Sequence, residues 1–129
     1  MYMKTAISTQ TAPAAIGPYS QAIRTDEGRT VFVSGQLPLD PVTGRFSGET
    51  AADQTKQSLI NIEGILAASG TDMAHVVKVT VFLCDMEDFD AMNQVYARYF
   101  TKPYPARVAV EVAKLPKNAR VEIEAVAQF

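Results

Sequence analysis

The residues best suited to chemistry lie in two strand-like runs near the end of the chain, at 107–112 and 120–127. Arg107 stands among alanines and valines in the first run. In the second, Glu122 and Glu124 are separated by one residue, so alternation along a strand places both carboxylates on one face. Leaving a guanidinium buried and unpaired costs roughly 3–5 kcal/mol. We therefore expect Arg107 to meet either a carboxylate of the protein or the carboxylate of a small organic ligand.

The composition argues against several classes of partner. With 129 residues, 47% of them hydrophobic and 20% charged, the chain predicts one globular domain over residues 1–129. A net charge of −2 disfavours the basic face that nucleic-acid binding needs, and no apolar run is long enough to span a membrane. We expect neither partner. The single cysteine, Cys84, suits a reducing compartment, so the cytoplasm is the expected location.

The remaining reactive residue types give little support to metal, redox or covalent chemistry. One histidine, His75, and one cysteine cannot form a usual zinc site in one chain. His75 begins the strand-like run 75–83 and has no cysteine or carboxylate spaced for a metal or relay. Cys84 is interpreted as a buried structural thiol. The sequence also lacks the dinucleotide, P-loop and G-x-S-x-G motifs, so we expect no cofactor and no metal.

The elements that must position Arg107 and Glu122 follow from the hydrophobic periodicity. Strands are predicted at 4–9, 19–25, 30–34 and 75–83, in addition to the two closing runs. Thr50 and Asp53 resemble a capping box, which begins a helix that ends at Gly70. Asp88 is expected to cap a second helix with an apolar stripe at 89, 92, 96 and 99. Asn93 lies one position off this stripe, where it reaches either a cleft or water.

The order β-β-β-α-β-α-β-β predicts an α+β fold, with both helices on one face of a mixed six-stranded sheet. The strands are apolar on both sides, so the second face is expected to be covered. We therefore expect a homo-oligomer in which the sheets pack inward.

Several spaced motifs resemble the Rid family (reactive intermediate deaminase, also called YjgF). They are the sequence PAR at 105–107, VEI at 121–123, APAAIGPYSQA at 12–22, SGQ-x-P at 34–38, and the segment 81–93. The motifs occur in the family's order and span nearly the full chain. The resemblance implies a chorismate-mutase-like fold and a homotrimer whose sheets form an inner barrel, with ligand clefts between adjacent subunits.

The resemblance also implies an activity and a set of site residues. Archetypal members hydrolyse reactive imines and enamines, such as 2-iminopropanoate and 2-iminobutanoate, released by pyridoxal-phosphate enzymes. The products are a 2-keto acid and ammonia. The family's carboxylate-binding arginine falls on Arg107, its water-orienting glutamate on Glu122 and its loop tyrosine on Tyr19, whereas Glu124 is left a structural role. The candidate substrate-binding residues are Arg107, Ser34, Gly35 and Asn93.

Two departures and three alternatives accompany this interpretation. Some members carry a cysteine where this chain has Ala109, and the loop 100–105 is short. A first alternative is a non-catalytic protein that binds small carboxylates or 2-keto acids. An endoribonuclease is a second, which the net charge and the single histidine disfavour, and a chaperone is a third.

Overall fold

Six strands form one mixed sheet in the computed structural model, which describes residues 4–17, 19–25 and 28–129. The strand order across the sheet is β1-β2-β3-β6-β4-β5. Neighbouring strands are antiparallel except for β4 and β5, which are parallel. The elements are β1 Lys4–Ile7, β2 Ala22–Thr25, β3 Thr30–Gln36, α1 Ala51–Ala68, β4 Val76–Leu83, α2 Phe89–Tyr96, β5 Ala106–Glu111 and β6 Val121–Gln128.

The two faces of the sheet differ in what covers them. On one face, alternate residues of β4 and β6 are buried beneath the two helices and form the core with Leu59, Ile62 and Met92. On the opposite face, called the open face here, Phe32 and Val108 are exposed. The α+β class, the element order and the placement of both helices on one face of a six-stranded sheet are therefore confirmed.

The predicted capping residues of α1 are confirmed, whereas the side-chain cap predicted for α2 does not form. Thr50 Oγ1 accepts a hydrogen bond from Asp53 N at 3.0 Å, which begins α1 as expected, and Gly70 adopts a φ of 91° after its end. Asp88 occupies the cap position of α2, but its carboxylate makes no capping hydrogen bond. The 3-10 turn Met86–Asp88 runs directly into α2, so the backbone at Asp88 is already helical and the predicted side-chain cap is wrong. The Asp88 carboxylate lies 3.4 Å from Arg120 Nη1.

Two strand boundaries differ from the prediction near the N-terminus. The first strand ends at Ile7 rather than Thr9, and the second begins at Ala22 rather than Tyr19. The cause is Gln21, whose side chain bonds to the backbone of the preceding loop and holds it off the sheet. The segment 26–29 between the two predicted strands falls partly outside the described residues, and Gly28 in it has a positive φ of 73°.

His75 and Cys84 have different surroundings from those expected. His75 lies in the 3-10 turn Met73–His75, before β4, and its Nδ1 is 2.8 Å from Asp72 Oδ1. The turn thus pairs His75 with a carboxylate that the sequence pattern did not predict, although no group of three metal-ligating side chains surrounds it among the described residues. Cys84 is partly buried, and its thiol donates to Ala119 O at 3.1 Å. Among the described residues, no helix is long and apolar enough to cross a membrane.

Candidate functional site

Arg107 lies on the helix-covered side of the sheet, in the edge strand β5. Its partner across the parallel pair is Val79, which is fully buried under the helices. The guanidinium lies over the ring of Tyr96, with Cζ 4.6 Å from the ring centroid, and 5.5 Å from that of Phe89. Nη1 also donates to Asn93 Oδ1 at 2.7 Å. Three side chains of α2 therefore hold the guanidinium in one orientation.

No carboxylate satisfies this guanidinium among residues 4–17, 19–25 and 28–129. The internal ion pair that composition left open is therefore wrong for the described part of the chain. Arg107 opens onto a cleft of about 490 Å³ that Tyr104 and Pro105 also line. The structure thus offers a positive, partly buried donor to a ligand with a carboxylate.

Tyr96 supports Arg107 through its ring rather than its hydroxyl. The side chain is only 6% exposed, and among the described residues its hydroxyl has no hydrogen-bond partner. Burial raises the pKa of the Tyr96 phenol, and the nearby Arg107 charge opposes that rise only in part. The phenol therefore stays neutral at physiological pH.

Glu122 occupies a second cleft, on the open face of the sheet. It alternates with the buried residues of β6 and lies opposite Phe82 of β4. Its carboxyl group packs against Gly35, where an added Cβ would lie 3.0 Å from Glu122 Cδ. Gly35 lies in a register shift of β3 against β6 between Val33 and Gln36, as expected of a β-bulge beside a functional site. The absence of a side chain at position 35 thus lets Glu122 lie against the strand.

The environment of Glu122 favours its protonated form. Burial raises the pKa of the Glu122 carboxyl, and the negative charge of Glu124 on the same face raises it further. The cleft has a volume of about 600 Å³, and its walls include Tyr19, Leu37 and Leu39. A carboxylate with a raised pKa beside an open cleft suits acceptance of a proton from a bound water.

Tyr19 lines this second cleft, whereas Ser34 precedes the lining residue Gly35 in β3. Tyr19 is 51% exposed and lines the cleft, and its hydroxyl oxygen accepts a hydrogen bond from Ile16 N at 3.4 Å. Ser34 uses its hydroxyl to donate to Ser20 O at 2.6 Å, which ties the loop before β2 to β3. The Ser34 hydroxyl therefore anchors the loop, whereas Tyr19 remains available to a ligand.

The structure divides the sequence-predicted residues into two groups. Tyr19, Gly35 and Glu122 share one cleft, and Asn93 and Arg107 share the other. The groups lie on opposite faces of the sheet, so one chain does not bring its own Arg107 and Glu122 together. In the described part of the chain, no cluster of three or more His, Cys, Asp or Glu side chains could hold a metal ion.

Sequence reasoning missed the supporting role of Phe89 and Tyr96. Both belong to the apolar stripe that the sequence predicts for α2, and both also pack in or against the core. The available signal was their spacing with Asn93, because residues at i, i+4 and i+7 share one side of a helix. That shared side is the one that faces Arg107.

Comparison with known proteins places this architecture in a family. The model of the family described as Endoribonuclease L-PSP matches residues 9–129. A 2-iminobutanoate/2-iminopropanoate deaminase of Bos taurus is 54% identical over 121 residues, which cover 94% of this chain and 87% of that protein. The crystal structure of RidA from an Antarctic Psychrobacter species is 42% identical, with a TM-score of 0.91 and coverage of 97% of this chain and 99% of that one.

A further solved structure carries a ligand. The crystal structure of E. coli TdcF with bound serine is 43% identical, with a TM-score of 0.89, and the match covers 97% of this chain and 98% of that one. The family match spans both clefts and five strands of the sheet, β2 to β6. From its sequence, its strand order and these relatives, the chain belongs to the Rid (YjgF) family, whose members have the chorismate-mutase-like α+β fold.

Proposed function

We propose that this protein hydrolyses reactive 2-imino acids and their enamine forms, 2-iminopropanoate and 2-iminobutanoate, to 2-keto acids and ammonia. The observation that carries the proposal is the guanidinium of Arg107, held by α2 at the mouth of a cleft with no carboxylate partner among the described residues. The names of relatives that are 50–54% identical support the same reaction.

In this proposal Arg107 binds the substrate carboxylate and Glu122 handles the proton. A protonated imine is already electrophilic at C2, so water adds there when Glu122 accepts one of its protons. The proton then moves to the nitrogen and the C–N bond breaks. Ammonia leaves as the hydroxyl group gives its proton to Glu122 and the keto group forms. General-base help of this kind contributes about 10²–10⁴-fold. Tyr19 lines the same cleft and is the candidate to orient the water or the leaving nitrogen.

The two clefts would meet only between neighbouring chains. Arg107 lies in β5, an edge strand, and Glu122 lies on the open face. The exposed apolar side chains of that face, Phe32, Val108 and Val110, favour its burial against another copy. We propose a homotrimer with the sheets forming an inner barrel, so that Arg107 of one chain and Glu122 of the next complete each site. Light scattering should then give three times the chain mass of 14.0 kDa.

A coupled assay tests the reaction directly. Threonine dehydratase releases 2-aminocrotonate, which tautomerises to 2-iminobutanoate and hydrolyses slowly by itself. Adding this protein should accelerate formation of 2-oxobutanoate and ammonia in proportion to its concentration. A rate equal to the spontaneous one would refute the proposed activity. Because the chain has one cysteine and the substrate arises in general amino-acid metabolism, we propose that the reaction occurs in the cytoplasm.

A binding role without catalysis is a second candidate, which bound serine in the E. coli relative favours. In that case 2-oxobutanoate would bind in a manner that depends on Arg107, while imine hydrolysis stayed at the spontaneous rate. The family description names an endoribonuclease, but a net charge of −2 and a single histidine disfavour RNA cleavage. We expect no cleavage of a single-stranded RNA by this protein.

A further inference from the structure

The wall of the Glu122 cleft contains a segment that has no regular structure of its own. Residues 9–17 belong to no strand or helix, and residues 14–17 are exposed. This segment nevertheless supplies Pro13, Ala14 and Ile16 to the cleft, beside Tyr19. An exposed segment that lacks the backbone hydrogen bonds of a strand or helix needs other contacts to keep a fixed distance from Glu122.

The carboxamide of Gln21 supplies these anchors. The side chain is 3% exposed, and its Oε1 accepts a hydrogen bond from Thr9 N at 2.7 Å. Its Nε2 has two hydrogens and lies 3.1 Å from Thr9 O, 3.2 Å from Ala12 O and 2.6 Å from Pro13 O, so two of these acceptors share one N–H. One side chain therefore fixes the first half of the segment through four contacts to its backbone.

The backbone of Gln21 joins the segment to the strand that carries Gly35. Ser34 N donates to Gln21 O at 3.0 Å, and Ser34 immediately precedes Gly35. Gly35 in turn packs against the carboxyl group of Glu122. Gln21 thus lies between the loop wall and the strand that supports the candidate base.

The segment also docks on α1 at a glycine. A Cβ on Gly64 would lie 2.6 Å from Thr11 Oγ1 and 3.0 Å from Thr11 O. Thr11 Oγ1 is itself 2.8 Å from Thr9 Oγ1, which restricts its movement. The helix therefore leaves a gap at Gly64 that the segment fills, so an alanine there would push the segment away from α1.

We propose that Gln21 is a positioning residue for the Glu122 cleft: it docks the segment 9–13 on the sheet and on Gly64 of α1, and so sets the wall that confines substrate and water beside Glu122. The inference rests on the proposed hydrolysis of 2-imino acids. It assigns Gln21 no contact with substrate; the residue acts through the segment it holds. Because Arg107 lies in the other cleft, the main effect of Gln21 is on the chemical step.

The first test replaces Gln21 by methionine, which keeps the length and burial of the side chain and removes all four polar contacts. For Gln21→Met we expect a loss of roughly 10- to 100-fold in kcat on 2-iminobutanoate, with a smaller change in KM. Hydrogen exchange should become faster in the segment 9–13. Equal exchange in the wild-type and variant proteins would overturn the proposal.

Thr25→Val is the matched control. Thr25 is also buried, and its hydroxyl donates to Thr30 O at 3.3 Å and accepts from Thr30 N at 2.9 Å, at the far end of β2. This variant also loses side-chain contacts to the backbone, but away from the cleft, and kcat should stay near the wild-type value. If Thr25→Val and Gln21→Met lowered kcat equally, the effect would be one of general stability and the positioning role would be refuted.

Gly64→Ala perturbs the same segment without touching Gln21. Alanine is the better helix former, so α1 itself should not weaken. We expect a lower kcat and faster exchange in 9–13, while exchange within α1 stays at the wild-type rate. An unchanged kcat, with the segment displaced, would contradict the proposal. If the wild-type protein itself fails to accelerate imine hydrolysis, the proposed function fails, and exchange in Gln21→Met still decides whether Gln21 docks the segment.

Discussion

The two clefts of this chain are built in different ways. The Arg107 cleft is made by α2, by β5 and by the loop between them, and the guanidinium has three neighbours on α2 that fix it. The Glu122 cleft has residues of β3 and β6 as its floor and loops as its walls, and the carboxamide of Gln21 holds one of these loops. The proposed carboxylate-binding group is thus fixed by a helix, whereas the proposed proton-handling side depends on loops. Substitutions on the two sides should therefore fail in different ways.

The largest effect on activity is expected from a substitution in the Arg107 cleft. Arg107→Ala should abolish measurable acceleration of 2-iminobutanoate hydrolysis, because the substrate carboxylate loses its bidentate partner. Secondary structure should survive, since the side chain is partly exposed at a sheet edge. Circular dichroism and the coupled assay check both points, and Arg98→Ala, which removes an exposed arginine beyond α2, is the control. Full activity of Arg107→Ala would show that the carboxylate binds elsewhere.

The next largest effect is expected at the candidate base. Glu122→Gln keeps the shape of the side chain but cannot take a proton, so kcat should fall by about 10²–10⁴-fold with KM little changed. Steady-state kinetics on 2-iminobutanoate separate the two parameters. A raised KM at unchanged kcat would move Glu122 from proton transfer to substrate binding.

Mixing these two inactive variants tests whether the clefts meet between chains. If each site takes Arg107 from one chain and Glu122 from its neighbour, random mixed trimers regain both groups in about a quarter of their sites. Refolding Arg107→Ala and Glu122→Gln together should therefore restore activity toward that fraction of the wild-type rate. Refolding Arg107→Ala with the doubly substituted chain is the control and should restore none. No recovery in the first mixture would mean that the two groups do not cooperate across an interface.

A smaller effect on activity is expected at Gly35 of β3, against which the carboxyl group of Glu122 packs. Gly35→Ala places a Cβ 3.0 Å from Glu122 Cδ, so the carboxylate must shift and the rate should fall roughly tenfold. Gly17→Ala is the control, because its Cβ would make only ordinary contact, 3.5 Å from the Tyr19 ring. The comparison uses kcat on 2-iminobutanoate. Equal rates for the two variants would show that the position of Glu122 does not limit catalysis.

The smallest effect concerns pH. The Glu124 charge makes loss of the Glu122 proton harder, so Glu124→Gln should lower the pKa of Glu122 toward its ordinary value. The acid limb of kcat/KM requires ionised Glu122, and its midpoint should move to lower pH. Burial still raises the pKa of Glu122 in the variant, and Lys117 in the same cleft is unchanged. A midpoint that moves upward would contradict a base role for Glu122.

Local sequence patterns predicted much of the fold because they depend on neighbouring residues. Alternation alone placed Glu122 and Glu124 on one face, and Thr50 and Gly70 marked the ends of α1 correctly. The strand expected at 19–25 was cut short because Gln21 bonds to residues 8–12 positions earlier in the chain. Hydrogen bonds between a side chain and backbone groups so far away in the sequence do not alter the hydrophobic periodicity, so the pattern of residues does not reveal them.

Local sequence patterns also could not predict that Arg107 and Glu122 lie in separate clefts, because this separation depends on contacts between distant strands. Arg107 and Glu122 lie in strands that do not pair with each other but both pair with β4. Which face each side chain takes depends on the register of both pairings, set by packing against the helices. The candidate site residues could therefore be predicted from the sequence, but their distribution over two clefts on opposite faces of the sheet could not.

The contact of α2 with β5 has a consequence for folding. Asn93 and Arg107 are 14 residues apart, so the arginine side assembles from one short stretch of chain. The Glu122 cleft instead joins residues 13–19, 35–44 and 116–122, which span most of the sequence. Closing such long loops costs more chain entropy and slows folding. We expect the Arg107 cleft to form early, even in a growing chain, and the Glu122 cleft only after the last strand has joined the sheet.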